Sequence, residues 1–362
     1  MSGGVDSSVA AALLVEEGYD VVGATLHLWD YPDDGSVRGR CCAPEDQYDA
    51  RRTADHLGIA HFSFDRRADF AQKVVAPFVD AYLEGETPSP CVACNRGVKM
   101  RELFALAERL GASHLATGHY ARVVREGPEG QPWLARSRDA DKDQSYFLHS
   151  LGPEALGRLL FPLGERSKAE VRAKARELGL PGAEKGESQE LCFVPTGRYD
   201  AFVAARADGR VRPGPILDAA GREVGRHEGL HRFTVGQRKG LGVALGSPAY
   251  VVGLDRERSA VHLGPVEALE CAGLEASEGT FAPGVPERFR ATVKVRARHE
   301  GAEADVERGP QGQVRVRFLK PVRAVSAGQY AVAYLGDRVA GGARIVTISH
   351  AHAPETNLAS PA

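Results

Sequence analysis

The sequence predicts an α/β domain built on a parallel sheet, followed by two small all-β modules. Three observations predict this. A glycine-rich octapeptide, Met1-Ser-Gly-Gly-Val-Asp-Ser-Ser8, runs straight into the helix-forming stretch Val9 to Glu17. From there to about residue 205, strand-like and helix-like segments alternate. After Arg206, glycine and proline become frequent and short period-2 segments replace helices.

Taken in order, Tyr19 to Leu28 reads as a buried strand and Glu45 to Leu57 as a helix with Ala50, Ala54 and Leu57 on one face. Ala60 to Phe64 reads as a strand. Ala68 to Leu83 and Gly97 to Leu110 read as helices, and His114 to Thr117 as a short strand ending at Gly118. Ser167 to Leu178 is a further helix, with Ser167 and Glu170 spaced as a capping box. Such an order implies a helix-covered parallel sheet with ligands at the carboxyl ends of its strands. The β segments that follow are Ala249 to Val252, Ala260 to Leu263, Arg290 to Arg298, Val314 to Phe318, Tyr330 to Tyr334 and Ala343 to Ile348. They divide into two modules near Ala272–Pro286, and the tail from His350 reads as frayed.

A chain of 362 residues is long enough for two or three domains. No apolar run is long enough to span a bilayer, and no signal peptide is legible, so a membrane partner is not expected. Six cysteines are too few for a disulfide scaffold at this length. They suit a reducing compartment, which points to the cytoplasm. A net charge of −2 argues against a uniformly basic nucleic-acid coat and leaves room for a local basic face.

The octapeptide is built to hold pyrophosphate. Gly3 and Gly4 let backbone approach phosphate closely, Ser2, Ser7 and Ser8 offer hydroxyls, and the helix start offers free N–H groups. The Gly-Lys-Ser/Thr ending of a Walker A loop is missing. The plainer alternative is a glycine turn capping a helix through Asp6 or Ser7. A phosphate loop of this kind should follow a β-strand, so a strand of about five or six residues is expected upstream of Met1, with the start assigned too late.

Thr87-Pro-Ser-Pro-Cys-Val-Ala-Cys-Asn95 puts Cys91 and Cys94 at C-x-x-C spacing in a proline-stiffened loop before a helix, where thiolate is favoured. Cys192 lies in Ser188-Gln-Glu-Leu-Cys-Phe193. Cys271, and less clearly Cys41 and Cys42, read as small buried hydrophobes. In the second half, Arg290, Thr292, Lys294, Arg296 and Arg298 alternate with apolar residues, and Arg315 and Arg317 repeat the scheme. If those two strands pair, their cations share one face and favour phosphates between them. Arg238 and Lys239 would extend that track. A solvated strand face is the plainer alternative.

With Ala116-Thr-Gly-His-Tyr120, Lys142-Asp-Gln-Ser-Tyr-Phe-Leu148, Leu191-Cys-Phe193 and Gly236-Gln-Arg-Lys-Gly-Leu-Gly242, these motifs resemble the tRNA-specific 2-thiouridylases, the MnmA/TrmU family of the PP-loop ATP pyrophosphatase superfamily. The resemblance runs nearly end to end. It implies an α/β PP-loop catalytic domain over 1–205, a small central β-rich domain over 206–272 and a C-terminal tRNA-binding β-barrel over 273–362. It implies ATP-dependent 2-thiolation of uridine 34 in tRNA, by adenylation of the C2 oxygen with loss of pyrophosphate and then sulfur transfer, with Mg²⁺ on the triphosphate. A persulfide-carrying donor protein is the implied partner besides tRNA.

By position, Cys94 is the implied nucleophile and Cys192 the persulfide carrier, and the two pair as a disulfide in the oxidised enzyme. Met1, Ser2, Gly3, Gly4, Val5, Asp6, Ser7, Leu26 and Gly118 are implied at ATP. Ser89, Pro90, Cys91, His119, Lys142, Asp143, Gln144, Arg296, Ala297 and Gln329 are implied at tRNA. Without the flanking motif, Lys142 and Asp143 would read as a solvated charge pair and His119 as a structural histidine. Two departures stand out: Ser89 replaces the usual Asn, and Cys91 stands where many members carry Asp. Cys91, Cys94 and Cys192 could then be three ligands of a [4Fe-4S] cluster with a labile sulfide on the fourth iron. A zinc site completed by Cys41 or Cys42 is a weaker option. Another AMP-forming PP-loop ligase and a non-catalytic tRNA- or metal-binding relative are the competing functions.

Overall fold

The computed structural model describes residues 1–30, 44–126, 130–186, 191–194, 197–244 and 246–351. Cys41 and Cys42 lie outside the described residues, as does Ser188. In the first domain, helix α1 (Val5–Glu16) is buried almost all round, through Val5, Val9, Ala10, Ala12 and Leu13. It ends at Gly18, whose φ of +83° is open to glycine at little cost, with Gly18 N–H donating to Val15 O. Strand β1 (Val22–His27) pairs in parallel with β2 (Ala60–Asp65), and helix α2 (Pro44–Leu57) connects them. Strand β3 (Leu115–Ala116) pairs in parallel with β6 (Leu159–Leu160).

The parallel sheet expected as one layer is therefore two separate ribbons, with no ladder joining them among the described residues. Each ribbon is parallel, but β3 and β6 are only two residues long. The chain first meets β1 at Met1, whose backbone nitrogen donates to Ala24 O and whose carbonyl accepts from Thr25 Oγ1 at 2.6 Å. The α/β alternation is also interrupted by an antiparallel hairpin, β4 (Ala121–Glu126) and β5 (Gln131–Arg136). That hairpin reaches across to the C-terminal sheet through the bridge Ala135↔Arg338.

Of the next two helices, the first keeps its expected bounds to within one residue and the second starts earlier than its sequence suggests. Helix α3 runs over 67–83, with a π turn at Ala71–Val75. Helix α4 runs over 90–109, not from Gly97, so the C-x-x-C motif is inside it. Ser89 is its N-cap and Pro90 its first helical residue, a position where proline's missing N–H costs nothing. Two short helices, α5 (Ser145–Leu148) and α6 (Pro153–Arg158), precede α7 (Lys168–Glu177). The Ser167–Glu170 capping box forms at the start of α7 as expected. Helix α8 (Tyr199–Ala204) ends the domain.

The central domain is a four-stranded sheet in the order β8-β7-β10-β9, from β7 (Gly214–Leu217), β8 (Glu223–His227), β9 (Tyr250–Asp255) and β10 (Ala260–Gly264). Ile216, Phe233, Val251, Val261 and Leu263 fill its core. The last domain is a closed six-stranded barrel in the order β11-β14-β13-β12-β15-β16, with β16 returning to β11. Its strands are β11 (Glu270–Phe281), β12 (Arg288–Lys294), β13 (Ala302–Arg308), β14 (Val314–Arg323), β15 (Tyr330–Leu335) and β16 (Arg338–His350). Closure leaves no exposed edge. Cys271 lies inside this core as a small hydrophobe, with Leu274, Val293, Val306, Val316 and Ile345.

The shared basic face is overturned by the topology. Strands β12 and β14 are not neighbours, because β13 lies between them and carries Glu303, Asp305 and Glu307. Arg290 and Arg317 both pair with Asp305, at 3.0 and 3.3 Å, and Arg288 pairs with Glu307 at 2.6 Å. Arg315 pairs with Glu275 of β11 at 3.4 Å. Arg288, Arg290, Arg315 and Arg317 thus belong to a charge-balanced ladder rather than a phosphate track. Strand β12 also stops at Lys294, so Arg296, Ala297 and Arg298 lie in the turn beyond it.

All three domains meet at the segment 84–88, between α3 and α4. Glu84 pairs with Arg256 of the central domain, and Leu254 packs against Gly85. From the barrel, Arg344 pairs with Glu86, and Thr87 N–H donates to Ala327 O at 2.9 Å.

Candidate active site

The octapeptide forms a tight loop onto the start of α1. Gly3 has φ +72°, and a Cβ there would collide with the Asp46 carbonyl of α2, so the position tolerates only glycine. Ser7 Oγ accepts from Ser2 N–H at 3.0 Å and donates to Gly4 O at 3.1 Å. Ser8 is fully buried and bonds Gly4 O and Thr53 Oγ1. The N-cap, Gly4, has no side chain to satisfy the first-turn N–H groups, which leaves them for an anion. The capping alternative through Asp6 or Ser7 does not hold, since both lie inside the helix.

Asp6 is instead held from outside. Lys168 Nζ lies 2.6 and 2.8 Å from its two carboxylate oxygens, and Tyr120 Oη donates to it at 2.9 Å. Gly118 closes on the same turn: a Cβ there would lie 2.9 Å from Ser7 N and from the Asp6 carbonyl carbon. Leu26, on β1, is half-buried against the cluster that also holds Cys94. Met1 to Ser7 and Gly118 thus come together, and Leu26 stands on the adjacent strand.

Cys91 is exposed and Cys94 is buried, three residues on along α4. A π turn over Asn95–Lys99 follows Cys94 directly. Cys94 belongs to a cluster with Phe70, Phe78, Val98 and Phe193, and Cys192 packs against the same cluster. Phe193 is the anchor. Its ring centroid lies 5.6 Å from Phe70, 5.1 Å from Phe78 and 5.3 Å from Phe202, all edge-to-face or nearly so. Fixing Phe193 fixes its neighbour Cys192. Cys94 and Cys192 thus pack on one apolar cluster.

No group of three or more His, Cys, Asp or Glu side chains among the described residues is arranged to hold a metal ion. Cys91, Cys94 and Cys192 do not stand out as such a group: Cys91 is exposed, whereas Cys94 and Cys192 pack with the apolar cluster.

The residues expected at tRNA fall into two groups. Ser89, Pro90 and Cys91 open α4, and Arg296 is exposed in its turn. The others are engaged within the protein. Asp143 accepts from Ser137 N–H, Ser145 N–H and Ser145 Oγ. Gln144 exchanges two bonds with the Tyr120 backbone, at 2.9 and 2.8 Å. Lys142 closes the turn beside them, its N–H donating to Asp139 O. His119 bonds Thr117 Oγ1 at 2.9 Å, and burial together with Lys99 pushes its pKa down to about 3, so the ring is neutral. Ala297 packs against the interface cluster of Val92, Tyr146 and Tyr330. Gln329 Nε2 donates to Thr87 O at 2.9 Å and Pro88 O at 3.3 Å. Sequence reasoning missed Lys168, Tyr120 and Phe193. Tyr120 and Phe193 carried a signal, as the last residues of the motifs around Gly118 and Cys192; Lys168 carried none.

A pyrophosphate loop on an α/β domain, two thiols on one cluster and a C-terminal barrel define an ATP-using protein with two β appendages. Residues 1–196 match the family described as tRNA methyl transferase HUP domain, 201–265 its PRC-barrel domain, and 273–345 the aminomethyltransferase beta-barrel domain. The tRNA-specific 2-thiouridylase MnmA of Sorangium cellulosum is 65% identical over 95% of this chain and 90% of its own length. Those of Roseiflexus sp. and Moorella thermoacetica are each 47% identical, over 95% and 96% of this chain and 97% and 99% of theirs. The chain belongs to the tRNA-specific 2-thiouridylase family, a family of ATP-using, tRNA-modifying transferases.

Proposed function

We propose that this protein installs sulfur at C2 of uridine 34 in tRNA, at the expense of ATP. The C2 oxygen attacks the α-phosphorus of ATP, and pyrophosphate departs. Free N–H groups at the start of α1 and the Ser2 and Ser7 hydroxyls receive the pyrophosphate, while Lys168 neutralises Asp6 beside them. The C2–O–AMP bond is then weak enough to break.

The terminal sulfur of a persulfide on Cys192 attacks C2, and AMP leaves. The Cys94 thiolate next attacks the Cys192 sulfur. The 2-thio base is released, and a Cys94–Cys192 disulfide remains. Two electrons from an external thiol reductant reopen it, and a persulfide-bearing donor protein reloads Cys192. Attack by hydrosulfide, freed when Cys94 displaces it from Cys192, gives the same products.

The observation that carries the reading is the packing of both thiols on the Phe193 cluster, on a domain that also bears the pyrophosphate loop. Methyl transfer, which the family description names, needs neither a pyrophosphate loop nor paired thiols. The test is pyrophosphate release from ATP on addition of unmodified tRNA. Release that depends on tRNA supports the proposal, and release equal without tRNA contradicts the adenylation step.

A further inference from the structure

The cysteine helix is aimed by a residue from another domain. The barrel turn between β14 and β15 reaches the Thr87–Pro88 peptide just before Ser89, the N-cap of α4. There the Gln329 amide donates to both carbonyls, Thr87 O at 2.9 Å and Pro88 O at 3.3 Å. Thr87 N–H returns a bond to Ala327 O at 2.9 Å. Between them Gly328 is buried with φ +88°, a conformation that favours glycine, and a Cβ there would press on Thr87 O at 3.1 Å. Arg344 holds Glu86 one residue upstream.

Pro88 supplies no N–H, and Pro90 supplies none at the first helical position. The backbone leading into α4 therefore has few bonds of its own to fix it. Outside bonds decide where Cys91 and Cys94 point. We infer that Gln329, with Gly328, is a positioning residue for sulfur transfer: it sets the entry angle of α4, so that the barrel which meets the tRNA also aims the thiols. This rests on the proposed role of Cys94. Gln329 then acts through the loop rather than by touching RNA.

The isosteric change Gln329→Glu tests this, because it replaces the donor with a carboxylate facing two carbonyls. The expected result is a loss of about tenfold or more in kcat for tRNA thiolation, the scale of a small misplacement of reacting groups, with tRNA affinity within about twofold. The rates at which iodoacetamide alkylates Cys91 and Cys94, mapped by mass spectrometry without tRNA or ATP, should change at least about threefold, since burial and aim govern thiol access. Gln329→Lys keeps a donor and should recover part of kcat. Gly328→Ala perturbs the same contact from the backbone and should change alkylation in the same direction.

A fall in tRNA affinity with kcat and alkylation unchanged would overturn the inference and make Gln329 an RNA contact. Unchanged alkylation in both Gln329→Glu and Gly328→Ala would overturn it as well. Failure of the underlying reading looks different: Cys94→Ser would thiolate normally, while Gln329→Glu still altered alkylation.

Discussion

Lys168 Nζ lies 2.6 Å from Asp6 Oδ1, joining the first turn of α7 to the first turn of α1. The Lys168 side chain is only 13% exposed and Asp6 34%, so the pair is partly shielded from screening water. It cancels the one negative charge that the pyrophosphate loop carries at the helix end meant for an anion.

Lys168→Met should therefore weaken ATP binding by about tenfold, or ~1.4 kcal/mol, as Asp6 is left to repel phosphate. Initial rates of pyrophosphate release against ATP concentration measure it. An unchanged KM for ATP would refute the role given to the pair.

Gly3 and Gly118 are expected to be intolerant for different reasons. Gly3→Ala meets the Asp46 backbone and a left-handed φ, and should cost roughly 1–3 kcal/mol of stability in a urea titration. Gly118→Ala presses on Ser7 N from the ligand side, so ATP affinity should fall more than stability does. Equal loss in both measures for Gly118→Ala would make it a packing glycine only.

For tRNA binding, the ladder around Asp305 separates two kinds of arginine. Arg290 is matched by Asp305, whereas Arg296 spends its guanidinium on the Arg323 and Ala324 carbonyls, with no carboxylate in ion-pair range among the described residues. Arg296→Glu should weaken tRNA binding and reduce the salt slope by about one, while Arg290→Glu should change both less. Binding titrations at several salt concentrations decide this, and the reverse order would refute it.

His149 should give the protein an acid-labile interface. It is buried between Tyr146, whose carbonyl it bonds at 2.8 Å, and the Tyr330 ring, with Gly342 leaving it space. Burial pushes its pKa down to about 4. The unfolded chain takes up a proton near pH 6.5 that the folded chain refuses, so stability is full above that pH. It should fall as pH drops toward 4, by up to ~1.4 kcal/mol per pH unit from this group. In His149→Gln the difference between urea midpoints at pH 7 and pH 5 should shrink; an equal difference would place the sensitivity elsewhere.

Much of this architecture was legible because its signals are local. The Ser167–Glu170 box, the helix over 44–57 and strands β9, β10, β15 and β16 follow from caps and periodicity. Strand β13 was not, because Ala-Glu-Ala-Asp-Val-Glu-Arg offers one bulky apolar residue in seven. Missing β13 made β12 and β14 look like neighbours, and a balanced ladder look like a basic face. The loop and the three thiols could be read from spacing alone. The role of Lys168 could not, since it stands 162 residues from Asp6 and only the folded chain brings them together.

The central claim is that sulfur enters uridine through ATP activation and Cys94. The most direct test incubates the protein with unmodified tRNA, ATP and a persulfide donor, digests the tRNA and identifies its nucleosides by mass spectrometry. The predicted result is 2-thiouridine, dependent on ATP and abolished in Cys94→Ser and Cys192→Ser. A methylated nucleoside, or 2-thiouridine formed equally well by Cys94→Ser, would contradict it.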